Sequence, residues 1–425
     1  MIKYKIITSS DFYFSTILFN NQTLKIKFLA LCINHFIHNG HICLPSVLIE
    51  QKKVFLTNKI NLINKLWSLI QINKNFWINE LLKDSHIISN GLKKTPLIFN
   101  NKNFYTYKLW LAEKKIWKFI NQNQNIQTNN TNIIKKLLKN SLKEDTDLTQ
   151  KIAITLSMIS NIIFIIGGPG TGKTTIISKI ILIFIKLFSR NVKIKLTALT
   201  GKASNNLTES INKNIKKFNI TNEKINIPDY KATTLHKLLN IKYENKIKIT
   251  NTKIDLSNID LLIIDEASMI DIEIMEKLID NIPITLKVIF IGDHNQLPSI
   301  SGGHILKDIC SYYREGFSKN MTHFLETLLN KQKIIKTIKN YKFSNINDKI
   351  IMLKKNYRCN LNSDILNFSN ILKKNSINNK KILYNNTYQD IKFKNIFHNL
   401  EYKKIISQLA KIYKKYWLIL KKKNH

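Results

Sequence analysis

The stretch Gly167-Gly168-Pro169-Gly170-Thr171-Gly172-Lys173-Thr174 constrains the fold of this chain more than any other feature. It satisfies the pattern G-x-x-x-x-G-K-[ST], and its flanks are the ones that pattern needs. The apolar run 161–166 ahead of it predicts a buried strand, and 175–180 behind it opens an apolar helix. Glycines let the backbone wrap closely around phosphates with its N–H groups pointing inward, and the helix N-terminus adds a favourable dipole. In such a loop Lys173 reaches the β/γ-phosphates and Thr174 ligates Mg²⁺. ATP and Mg²⁺ are therefore the expected ligands.

From about residue 147 apolar runs at 162–166, 193–197, 261–264 and 287–291 alternate with helical segments. That alternation predicts a parallel sheet covered on both faces, with ligands at the carboxyl ends of its strands. Two of those ends carry chemistry. Leu261-Leu262-Ile263-Ile264 runs into Asp265 and Glu266. Asp265 is suited to hold Mg²⁺, directly or through water, and Glu266 to orient and polarise an attacking water. Val288-Ile289-Phe290-Ile291 runs into Gly292-Asp293-His294-Asn295-Gln296-Leu297-Pro298, which sets Gln296 near the γ-phosphate, where it can sense the loss of that phosphate.

The rest of the chain is less specific. Helical spacing at 24–37 and 54–72 predicts a helical N-terminal domain over 1–110. A linker or helical connection follows over 111–146, its Asn/Gln/Thr/Ile-only stretch lying at 121–132. The motor domain is expected over 147–345 and a second domain over 346–425. The net charge of +39 fits a polyanionic partner, but lysine, asparagine and isoleucine abound throughout and arginine occurs only at positions 190, 314 and 358, so biased codon usage accounts for much of it. Eight of the eleven glycines nonetheless fall between Gly167 and Gly303, the window that holds all three motifs. The four cysteines make no C-x-x-C pair, and His35, His38 and His41 suit an ordinary helix end better than a metal site. No stretch suits a membrane span or a secretory signal, so a cytoplasmic location is expected.

Taken together, G-x-G-K-T, D-E-A-S and G-D-x-x-Q-L-P resemble motifs I, II and III of superfamily-1 helicases of the 5′→3′ branch. Several further stretches resemble the RecD family: Leu148-Thr149-Gln150, Leu199-Thr200-Gly201-Lys202-Ala203, Thr233-Thr234-Leu235-His236, Gly40-His41-Ile42-Cys43-Leu44-Pro45 and Tyr357-Arg358. The resemblance implies that Gln150 reads adenine and that Thr200, Gly201, Lys202, Thr234 and His236 contact DNA. Arg358 would reach the γ-phosphate from the second motor domain. The implied fold is α/β: a complete P-loop, RecA-like motor domain with a helical N-terminal domain and an incomplete second RecA-like domain. Motifs V and VI of the family are not found, so that second domain is expected to be truncated. The implied function is ATP-dependent 5′→3′ translocation on single-stranded DNA and duplex ends, beside RecB-like and RecC-like subunits in a helicase–nuclease for recombination and break repair. The alternative is a nucleotide-binding regulatory or structural subunit that has lost motor activity.

Overall fold

In the computed structural model the described residues are 4–55, 57, 59–71, 77–83, 86–121, 131–142, 146–188, 192–219, 230–244, 247–249, 254–297, 299, 302–330, 335–339, 341–358, 363–365, 368–369, 391 and 399–423. They fall into two compact units, Met1–Lys355 and Asn356–His425.

The first unit begins with helices α1 (Ser9–Leu18) and α2 (Leu24–His38), strand β1 (Leu44–Pro45) and helices α3 (Ser46–Glu50), α4 (Ile60–Ile70) and α5 (Trp77–Leu82). Strands β2 (Ile88–Ser89), β3 (Leu97–Asn100) and β4 (Asn103–Thr106) follow. Helical periodicity at 24–37 and 54–72 announced α2 and α4, but not α1, α3, α5 or the small sheet, which runs β1-β4-β3-β2. Helix α1 is inverted relative to an ordinary amphipathic helix. It buries Asp11 and Ser15 while Phe12 is 42% and Ile17 69% exposed. Asp11 closes a capping box with Thr8 and accepts a hydrogen bond from Asn34 Nδ2 at 3.0 Å. His35 and His38 of α2 also meet its carboxylate, at 3.3 and 2.7 Å. Burial opposes the charged form, but the Thr8 N–H and hydroxyl, His35 and His38 outweigh it and hold the Asp11 carboxyl below its usual range.

Two helices, α6 (Tyr107–Asn121) and α7 (Thr131–Ser141), lead to the motor sheet; most of the polar stretch expected as a linker, 122–130, lies outside the described residues. Neither helix is a free connection. Helix α7 contributes Ile134 and Leu138 to one sheet face, and α6 contributes Leu109, Ala112 and Ile116 to the other.

The motor then alternates as expected: α8 (Leu148–Ile159), β5 (Ile162–Gly167), α9 (Lys173–Phe188), β6 (Ile194–Ala198), α10 (Gly201–Asn219), β7 (Thr233–Thr234) and α11 (Leu235–Leu238). A hairpin of β8 (Lys242–Glu244) and β9 (Ile247–Ile249) precedes β10 (Leu261–Asp265), α12 (Ile272–Asn281), β11 (Lys287–Gly292), α13 (Ile305–Ser311), α14 (Lys319–Leu329), α15 (Ser344–Asn347) and β12 (Ile350–Leu353). The main sheet runs β12-β5-β11-β10-β6-β7 with every pairing parallel.

Side-chain alternation along the strands explains why both faces need covering. Ile163, Ile165, Ile263, Ile289 and Ile291 join the core under α8, α9 and α14, while Phe164, Ile166, Leu262, Ile264, Val288 and Phe290 join the core under α6 and α12. Phe164 and Phe290 stack across β5 and β11 with centroids 4.9 Å apart. Each such fully buried side chain contributes roughly 1.5–3 kcal/mol, so a sheet apolar on both sides is stable only when sandwiched.

Strand β12 corrects the expected domain boundary. It lies inside 346–425 yet pairs with β5 from Ile350↔Phe164 to Leu353↔Gly167, and the first compact unit ends only at Lys355. Ile350, Ile351 and Leu353 are buried and divide between the two cores of the motor sheet, which is why β12 belongs there. In the second unit the main described element is the helix Asn399–Lys423; most of the remainder expected as a partial motor domain lies outside the described residues.

Candidate active site

Parallel pairing sets the carboxyl ends of β5, β11 and β10 side by side. The register aligns Gly292 with Ile166, and Phe290 with Ile264. Gly167, Asp265 and Asp293 consequently arrive at the same edge of the sheet.

The loop after β5 is built from its glycines. Gly170 and Gly172 take φ of +80° and +84°, a left-handed conformation that residues with a β-carbon rarely adopt. At Gly167 a β-carbon would sit 2.5 Å from Thr171 Oγ1 and 3.0 Å from Leu353 Cβ. Thr171 Oγ1 donates to Gly168 O at 2.9 Å, closing the loop on itself. Lys173 Nζ donates to Gly167 O at 2.7 Å and to Gly168 O at 3.4 Å. Thr174 stands half-buried in the first turn of α9. Pro169 is exposed at the crest. Gln150, 7% exposed on α8, donates from Nε2 to Thr171 O at 3.1 Å. The expected adenine reader is thus bonded to the phosphate loop, with its carbonyl and one N–H still available.

Asp265 ends β10 half-buried, and its Oδ1 accepts from Glu266 N at 2.9 Å. Burial pushes its carboxyl up to about 6; the Glu266 N–H pulls it down, the Glu266 charge adds to the rise, and the Lys173 ammonium lowers it. A carboxylate destabilised in this way, beside a lysine and a glycine cradle, suits a divalent cation. Thr174, Asp265 and the open loop therefore fit a magnesium–nucleotide pair. Glu266 itself takes φ +55°, ψ 39°, an uncommon left-handed conformation for glutamate. Such conformations cluster at functional sites.

Asp293 was quoted within its motif but not singled out from the sequence. It is buried, and its Oδ2 lies 3.9 Å from where a β-carbon of Gly168 would stand. It also folds the following turn, accepting from Asn295 N at 2.9 Å through Oδ1 and from Gln296 N at 3.1 Å through its carbonyl. Gln296 is exposed on that turn, and Pro298 lies outside the described residues. Gly292 has no room for a side chain, because a β-carbon would stand 2.7 Å from Leu306 Cδ2 and 3.1 Å from Ser268 N.

The residues expected to meet DNA gather at the other end of the same sheet edge, after β6 and β7. Thr200 precedes α10, and its Oγ1 accepts from Ala203 N at 3.2 Å. Gly201 and Lys202 are exposed in the first turn. Thr234 caps α11 by accepting from Lys237 N at 3.3 Å, and His236 is half-buried behind it. Arg358 lies in the second compact unit; its side chain is exposed and its N–H donates to Asn356 Oδ1 at 2.8 Å.

A family model described as an AAA domain matches residues 150–302, and one described as the N-terminal domain of the RecBCD enzyme subunit RecD matches residues 3–105. The chain is similar to the RecBCD enzyme subunit RecD of Buchnera aphidicola subsp. Acyrthosiphon pisum, 37% identical over 99% of this chain and 69% of that protein. The subunit of the same description from Buchnera aphidicola subsp. Schizaphis graminum is 38% identical over 99% and 70%. That of Haemophilus influenzae is 33% identical over 54% and 37%. Among solved structures, one described as two coordinating Pif1 helicases at forked double-stranded DNA aligns with TM-score 0.34 and 19% identity, over 62% of this chain and 57% of that one.

Proposed function

The chain belongs to the RecD family of helicases, and from that membership we propose that it is the ATP-driven 5′→3′ subunit of a RecBCD-type helicase–nuclease, acting on single-stranded DNA and duplex ends in recombination and break repair. The observation that carries the proposal is the meeting of Lys173, Asp265, Glu266 and the Asp293–Gln296 turn at one edge of a parallel sheet.

In this proposal the loop from Gly167 through Gly168, Pro169, Gly170, Thr171 and Gly172 to Thr174 wraps the phosphates. Lys173 exchanges its two carbonyl partners for phosphate oxygens. Thr174 and Asp265 would hold Mg²⁺, which would offset negative charge on the phosphates. Glu266 orients and polarises the water that attacks the γ-phosphorus. Gln296 reports whether the γ-phosphate is present, and Gln150 hydrogen-bonds the adenine edge. Arg358 stabilises charge that develops on the transferred phosphoryl group. Thr200, Gly201, Lys202, Thr234 and His236 supply hydroxyl, backbone N–H and cationic contacts to the DNA backbone.

RecB-like and RecC-like subunits are the proposed partners, with the N-terminal region as their seat. The inverted helix α1 supports that seat, since it turns Phe12, Tyr13, Ile17 and Leu18 outward. Exposed apolar patches of this kind mark interaction surfaces.

The test is ATP hydrolysis by the full chain with and without single-stranded DNA, beside Lys173→Ala and Glu266→Gln. Turnover that DNA stimulates and both variants lose by at least about 100-fold is expected. Nucleotide binding without turnover, alone and with partner subunits, would instead favour a regulatory subunit.

A further inference from the structure

The loop that follows the Gln296 turn does not stand alone. Ser299 Oγ donates to Gly303 O at 3.0 Å, which closes the loop. Ile272 N, at the start of the helix that follows Asp265 and Glu266, donates to Gly302 O at 3.3 Å. The other side of the loop is held by the N-terminal region. Gly303 N donates to Gly40 O at 2.9 Å. A β-carbon on Gly302 would stand 3.3 Å from His41 O, and one on Gly303 would stand 3.3 Å from Ile42 Cγ2 and 3.4 Å from Ile272 Cβ. Gly303 is buried with φ +105°, so the loop meets Gly40 and His41 at their backbone and Ile42 at its side chain. The His41 ring sits against Phe36 with centroids 4.8 Å apart and faces His304 at 6.4 Å.

We infer that Ile42, with the backbone of Gly40 and His41, positions the loop that carries Gln296, so that the N-terminal region helps to set the geometry of ATP hydrolysis. The inference rests on the role proposed for Gln296. The loop is anchored at both ends: Gly40 and Ile42 hold Gly303, Gly303 O accepts from Ser299, and Asp293 lies near Gly168. On the other side, Gly40 follows directly from α2, whose Asn34, His35 and His38 hold Asp11 of α1. A subunit seated on α1 would thereby bear on the loop that carries Gln296 through the Asp11 side-chain contacts and the Gly40–Gly303 backbone bond.

Ile42→Ala in the full chain, with Ile42→Val as the conservative control, tests this. Ile42 is half-buried against the motor core, so truncation loosens the junction without opening either core. We expect kcat for ATP to fall roughly three- to tenfold with KM unchanged, because a misplaced catalytic loop slows the chemical step while nucleotide binding is untouched. Amide exchange over 293–304 should accelerate while that over 167–174 does not, and Ile42→Val should restore both. Unchanged kcat and unchanged exchange over 293–304 would overturn the inference. If the unaltered chain hydrolyses no ATP, the motor proposal fails on that result alone. The exchange measurement still decides the positioning role: unchanged exchange over 293–304 overturns it, and local acceleration sustains it.

Discussion

Glu266 holds a left-handed backbone, which costs a residue with a β-carbon roughly 1–3 kcal/mol. Glycine adopts the same conformation without that cost, though it loses more chain entropy on folding. Glu266→Gly is therefore expected to raise the thermal midpoint, by up to about 1 kcal/mol of stability, while hydrolysis falls at least about 100-fold. A lowered midpoint in calorimetry would contradict the assignment of strain to this position. Asp265 adds a pH dependence. Its carboxyl is raised to about 6 where an unfolded aspartate titrates near 3.9. Between those values the folded, metal-free state binds more protons than the unfolded chain, so this residue favours the folded state increasingly as pH falls from 6 toward 4. Protons compete for the carboxylate that Mg²⁺ would use, so the Mg²⁺ concentration for half-maximal turnover should rise steeply below pH 6 and the rise should vanish in Asp265→Asn at its lower activity. The identities of these residues were legible in the sequence because phosphate chemistry fixes residue types at fixed spacing. The backbone sign at Glu266, the Gln150–Thr171 bond and the burial of Asp293 were not, since each depends on a neighbour more than twenty residues away or on strain that no propensity reports.

The four strand positions expected from apolar runs match β5, β6, β10 and β11 to within a residue. Length and double-sided burial make such strands conspicuous. Strands β1 and β2 are two residues long and β7 likewise, too short to show a period of two, so the N-terminal sheet and the edge of the motor sheet were silent. Helix α1 shows a different limit. Spacing reveals that a helix has two faces but not which one turns inward, and here the inward face is Asp11 and Ser15. Two variants, one single and one double, separate the faces. Asp11→Ala leaves the His35, His38 and Asn34 groups without their carboxylate and removes the capping box, and should cost about 3 kcal/mol in denaturant unfolding. The pair Phe12→Ser and Ile17→Ser should change stability by no more than about 0.5 kcal/mol each, yet should abolish pull-down of RecC-like partner subunits. Equal losses from both would mean that the apolar face is covered within the chain.

Across the whole molecule the excess of 67 Lys+Arg over 28 Asp+Glu is spread widely, although residues 255–300 carry nine acidic and two basic side chains. Affinity for DNA that draws on so diffuse a charge should fall steeply and linearly in log–log form with salt, because counterion release scales with the phosphates neutralised. Thr200→Ala with Lys202→Ala should lower affinity at every salt concentration but reduce the slope by only about one; collapse of the slope would show that those two residues carry the electrostatics. The architecture also refines the expected division of the chain. The boundary expected at 346 falls before β12, a four-residue strand too short to stand out as an apolar run, which pairs beside the phosphate loop. The outward face of α1 finally bears on how a cell must handle this polypeptide. A copy made without something to cover Phe12, Tyr13, Ile17 and Leu18 displays aromatic and aliphatic side chains of the kind that chaperones and quality-control proteases recognise in unfolded chains. If a partner covers that helix, abundance is expected to follow the supply of that partner, and overproduction of this chain alone is expected to give turnover and aggregates in place of a growing soluble pool.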